Sequence, residues 1–313
     1  MVDLELDAAS PPREVASPTG SSSLVSFFAL TFVASWTWWI AISPLAPPSL
    51  PLQIRELLVL PGVFAPAIVA IWLTARANGR AGVRGLLSGM VRWDVPVRWY
   101  VVAVGYVATA KLLAAGGYRL IRGEWPVFGQ EPWYLLLAAV AFSTPSQAGE
   151  EIDWRGYALP RLAARWGLGP GSVLLGVLWA AWHLPFFYLA GNDKSGQAFL
   201  PYLLGVTALS VVLAGVFWRT RGSLLLTMIL HSAANNTKDI VPSAAPKPGE
   251  PILLHATLVA WLSIAILWAG AIAFLVWMAR DGRAGTSASA RGKAVAAGLD
   301  GHAGATGAAT GRR

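Results

Sequence analysis

Cysteine is absent from the chain, and with it any disulfide framework, thiolate metal site or cysteine nucleophile. Charge is scarce as well. Only 13% of the 313 residues are Asp, Glu, Lys or Arg, about half the ~25% of an ordinary soluble domain. With 55% hydrophobic residues and 16 tryptophans, the composition excludes a disordered or fibrous chain. The mean hydropathy of +0.54 points to a membrane. Other absences narrow the function classes. There is no phosphate-binding glycine loop and no HExxH helix. No internal repeat and no inverted pair of broken helices is visible, which speaks against a secondary transporter. The net charge of +8 suggests nucleic acid only until it is located. Many of the basic residues lie in short loops between apolar stretches, as in cytoplasmic membrane loops, so no nucleic-acid partner is expected.

What is present is a series of long apolar runs. Eight are expected to span a bilayer, at 24–43, 57–75, 99–119, 133–151, 170–190, 200–219, 223–240 and 256–279, each near the ~20 residues needed to cross hydrocarbon. The fold class is therefore all-α, a polytopic membrane helix bundle of about eight transmembrane helices. Residues 1–22 read as a disordered tail, 23–280 as the bundle, and 281–313 as a disordered low-complexity tail. Neither a cleaved signal peptide nor a lipidation motif is expected. Lys and Arg number 17 in one alternating set of segments and 6 in the other, with Lys111 inside a span. This bias places both termini in the cytoplasm and supports an even number of spans.

Three apolar stretches carry polar groups that are costly in hydrocarbon, about 2.5–3.5 kcal/mol each. At the end of the fourth stretch stands Glu150-Glu151-Ile152-Asp153-Trp154-Arg155. In a continuing helix Glu151 and Arg155 are i,i+4 neighbours that can pair, and Glu150 points about 100° away. In the fifth, Trp179 precedes His183 by one turn on the same face. In the seventh, His231 and Asn235 share a face. Each cluster has a plain structural reading: a charged helix end, a packed histidine, and interhelical hydrogen bonding. Together they assemble a carboxylate, two imidazoles and an amide, an inventory suited to activating water and holding an oxyanion.

The segments Glu150-Glu151-x-x-x-Arg155, Trp179-x-x-x-His183 and His231-x-x-x-Asn235 resemble the EExxxR, FxxxH and HxxxN motifs of the CAAX protease and bacteriocin-processing (CPBP) family of intramembrane glutamic endopeptidases. That family includes the type II CAAX prenyl endopeptidases. The resemblance covers roughly residues 130–240. One departure is Trp179 where the family usually has Phe, an aromatic exchange read as a packing position. The resemblance implies a peptidase that needs no cofactor and no metal. Glu150 and His183 would hold and deprotonate the attacking water, His231 and Asn235 would hold the oxyanion, and Glu151 with Arg155 would orient the site. The implied partners are the lipid bilayer and a membrane-associated protein or peptide substrate, and the composition points to a bacterial cytoplasmic membrane.

Two alternatives belong to other classes: a zinc protease with Glu151, His183 and His231 as ligands, and a non-catalytic immunity or scaffold protein on the same fold. A transporter is a weaker third. One geometric tension also stands out. Counted from Pro170, His183 is about 20 Å into its helix, whereas His231 is about 12 Å from Ser223. The two depths agree only if the fifth helix starts late or segment 156–169 dips into the membrane. As an amphipathic stretch (Tyr157, Leu159, Leu162, Ala163 and Trp166 against Arg161 and Arg165), that segment could instead lie along the interface.

Overall fold

The computed structural model describes residues 21–47, 49–189, 194–195, 197–241 and 257–305, and for 21–23, 52, 239 and 282–305 the backbone alone. The tail expected over 1–22 lies almost wholly outside these residues, as do 306–313.

Among the described residues every element is helical. The helices are α1 (Ser21–Ile42), α2 (Leu52–Ser88), α3 (Val97–Arg122), α4 (Trp133–Ser143), α5 (Ala148–Glu151), α6 (Leu159–Trp166), α7 (Leu168–Trp182), α8 (Pro185–Tyr188), α9 (Phe199–Arg219), α10 (Leu224–Thr237) and α11 (Leu258–Ala305). Six stretches among the described residues are long and apolar enough to cross a membrane: Leu24–Leu45, Gln53–Val91, Val97–Arg122, Leu168–Tyr188, Phe199–Arg219 and Leu258–Asp281. They match six of the eight expected spans. The protein is a polytopic helical membrane bundle, and large side chains such as Val33, Ile40, Ile68, Val101 and Leu113 face outward from it.

The other two expected spans are shorter helices. The stretch 133–151 is not one helix: α4 is 11 residues long and ends at a tightened turn, Thr144–Gln147, before α5 begins. Pro145 accounts for the break, because it has no N–H to continue the ladder and its ring crowds the preceding turn. Side chains add hydrogen bonds to carbonyls around the break. Thr144 Oγ1 donates to the Val140 carbonyl (2.6 Å) and Gln147 Nε2 to that of Ser143 (3.1 Å). α10 has 14 residues, a rise of about 21 Å, short of the ~30 Å hydrocarbon. It needs no more, because it is buried on most sides: Leu224, Leu226, Thr227, Met228, Leu230, His231, Ser232, Ala233 and Ala234 are all enclosed. α3, α4, α5 and α9 pack around it, so it meets protein rather than lipid.

From Ile152 to Ala158 the chain continues α5 as a wider π-helical turn whose seven residues are all buried. Pro160 follows, with no N–H to give the carbonyl of Gly156, an ordinary cause of such a departure from α geometry. A helical backbone satisfies its own polar groups, which is what an apolar interior demands. α6 then packs on α7. Tyr157, Leu159 and Leu162 point into the core, and Arg165 and Trp166 point out. The amphipathic pattern is real, but its apolar face packs on helices of the bundle.

Close helix contacts hold the frame. Gly62 of α2 faces Trp39 of α1, where an added Cβ would collide with the indole. Gly176 of α7 lies against Thr207 of α9, with 2.7 Å from an added Cβ to the Thr207 Cα. Small residues that admit such approaches are the usual packing device of membrane helices. α2 kinks at Gly79, whose φ of 60° and ψ of −159° suit glycine alone.

Candidate active site

The three sequence clusters meet inside the bundle. α5 brings Glu150 and Glu151, the π-helical turn brings Arg155, the end of α7 brings Trp179 and His183, and α10 brings His231 and Asn235.

One half of the site is locked. Glu151 Oε1 accepts from Arg155 Nη1 at 2.8 Å and from His231 Nδ1 at 2.8 Å. The first contact is the i,i+4 pair read from the sequence, preserved across the widened turn. The second crosses from α10 and was not legible in the sequence. Glu151 and Arg155 are both fully enclosed, at 0% exposure, whereas Glu150 keeps 8% and His183 9%. The paired carboxylate is thus sealed in, and the other stands at the accessible edge of the cluster.

The other half is open enough to work. Glu150 Oε2 accepts from Trp179 Nε1 at 2.7 Å and lies 4.0 Å from His183 Nε2. His183 is the C-terminal cap of α7. Its Nδ1 donates to the Trp179 carbonyl at 2.9 Å, since a carbonyl can only accept. In the neutral ring this leaves Nε2 without a proton and turned toward Glu150. The 4.0 Å separation is too long for a direct hydrogen bond and suits a water between the two groups. Around His183 stand Trp182, Tyr202 and Phe186, with ring centroids at 4.8, 5.5 and 6.0 Å. Trp36 of α1 fastens this end of α7 by donating to the Trp182 carbonyl at 2.8 Å.

Asn235 and Asn236 part company. Asn235 is exposed and donates to Gln147 Oε1 at 3.3 Å. Asn236 donates to Ser143 Oγ and to the Ser232 carbonyl, both at 2.8 Å. Beside it Ser232 Oγ donates to the Val140 carbonyl at 2.8 Å, so Asn236 belongs to the seam between α4 and α10. Gln147, which holds Asn235, escaped the sequence reading; its place three residues before Glu150 was the available signal. Asp153 is fully buried in the same turn. Among the described residues no three His, Asp or Glu side chains gather as a metal-binding group.

Comparison with known proteins points to the same stretch of the chain. Residues 130–237 match the family described as type II CAAX prenyl endopeptidase Rce1-like, the stretch that holds all three motifs. Over 239 residues the chain is 23% identical to the CAAX prenyl protease 2 of Methanococcus maripaludis, covering 69% of this chain and 83% of that relative. The three motifs, their convergence in a helical membrane bundle and these two matches support a membrane peptidase of the CAAX protease (CPBP) family.

Proposed function

We propose that the chain is a glutamate-dependent intramembrane endopeptidase that cleaves a membrane-associated protein or peptide with an activated water. The observation that carries the reading is the facing pair Glu150 and His183, 4.0 Å apart. A water between them gives one hydrogen to the carboxylate and the other to His183 Nε2. As its oxygen attacks the scissile carbonyl, Glu150 takes the proton and can later pass it to the leaving amine. No step in this scheme calls for a metal. Glu151 is engaged elsewhere, since its Oε1 already serves Arg155 and His231.

His231 and Asn235 hold the oxyanion in this scheme. With Nδ1–H committed to Glu151, His231 can give Nε2–H to an oxyanion only as the doubly protonated ring. Asn235 supplies an N–H that never titrates, steadied by Gln147. Both termini lie in the cytoplasm, from the Lys and Arg bias, and the membrane is that of a bacterium. The curated relative is named a prenyl protease, which makes a prenylated CAAX peptide the first probe to try. A comparison of protein termini in cells carrying the wild type or Glu150→Gln tests the reading without choosing a substrate. New membrane-proximal termini should form with the wild type alone. Identical termini in both would refute a glutamate-dependent protease and favour an immunity or scaffold role.

A further inference from the structure

Trp179 touches four charged or titratable members of the cluster: Glu150, Arg155, His183 and His231. Its indole N–H reaches Glu150 Oε2 at 2.7 Å, and its carbonyl receives Nδ1 of His183 at 2.9 Å. The Arg155 guanidinium lies 4.2 Å from its ring centre, and the His231 ring meets it edge to face at 5.1 Å. The sequence reading gave this position to packing, because phenylalanine is usual there. Phenylalanine could fill the space and stack on Arg155, but it has no donor for Glu150.

We propose that Trp179 is a positioning residue that holds the Glu150 carboxylate and the His183 ring in working orientation. This deepens the glutamate-dependent reading and rests on it. The indole has one donor and nothing else to offer, and at 2% exposure that donor has little access to water. A short bond to a carboxylate is the strong, charge-assisted kind. It fixes one oxygen of Glu150, and with it the plane of the carboxylate and the direction of its lone pairs. The carbonyl of the same residue fixes the tautomer of His183. One side chain and its own backbone thus orient both groups that would bind the water, while the ring separates them from the Arg155–Glu151–His231 half. Proximity of this kind is worth most when the reacting groups are held before substrate arrives.

W179F keeps the ring and removes the N–H, and is assayed as full-length protein on the peptide that the termini comparison identifies. The expected result is a kcat lowered about tenfold or more, as for loss of one hydrogen bond to a charged group, with KM within about twofold. A purely structural role would not separate kcat from KM in this way. A second measurement needs no substrate. In full-length protein labelled with 15N-tryptophan, Glu150→Gln should move one indole N–H resonance upfield, because a neutral amide is the weaker acceptor; in W179F that resonance should be missing. Wild-type kcat in W179F, or indole resonances unmoved by Glu150→Gln, would overturn the proposal. An active Glu150→Ala protein would instead overturn the glutamate reading beneath it, so the two failures are distinguishable.

Discussion

Oε1 of Glu151 is shared: Arg155 Nη1 and His231 Nδ1 each donate to it at 2.8 Å. The oxygen joins the π-helical turn to α10, so the pair that orients the site also ties two central segments of the bundle together.

Glu151→Ala should therefore lose stability as well as activity. Breaking a buried pair leaves the other charge uncompensated, at a cost of about 3–5 kcal/mol. Arg155 would be stranded at 0% exposure, and His231 would lose the partner that sets its tautomer. Thermal unfolding in detergent, followed by the retained soluble fraction, should show a clearly lowered Tm. An unchanged Tm would mean that the pair contributes nothing to the fold.

Asn235→Ala and Asn236→Ala should separate two kinds of loss. Asn235 is exposed and makes one long bond to Gln147, so its removal should leave the Tm near the wild-type value. As an oxyanion donor it should nonetheless cost about 10²–10³ in turnover, with little change in substrate affinity. Asn236 joins α4 to α10, and its loss should cost about 1 kcal/mol of stability with mild effect on turnover. Equal losses of activity in one cleavage assay would remove the oxyanion role from Asn235.

Orientation has a direct test, because a chain without cysteine accepts a single reporter cysteine cleanly. Ala81 is exposed, beyond the kink at Gly79 in α2, in a loop-side segment assigned to the cytoplasm. A cysteine there should resist a membrane-impermeant thiol reagent in intact cells and react after lysis. Labelling in intact cells would reverse the topology.

Much of the site was legible because it depends on helical spacing. The i,i+4 distance from Glu151 to Arg155 predicts their pairing, and the same spacing puts Trp179 beneath His183 and separates Glu150 from Glu151. What spacing cannot supply is the neighbour across the bundle. The His231–Glu151 contact, the Trp179–Glu150 bond and the Gln147–Asn235 bond each join residues 29 to 88 positions apart, and they exist only once the helices pack. Hydropathy likewise located the apolar stretches but took 133–151 and 223–240 as full spans, since it cannot tell lipid contact from burial in protein. Nor did it register the break at Pro145 or the π-helical turn before Pro160, although both prolines are plain in the sequence.

The central claim is that Glu150 is the general base. Glu150→Ala, purified at wild-type yield and Tm, should lose cleavage of the identified substrate peptide by at least the 10²–10⁴ typical of a missing base. Its fold should survive, because Glu150 sits at the accessible edge of the cluster and forms no buried ion pair with Arg155. Undiminished turnover in that protein would contradict the account.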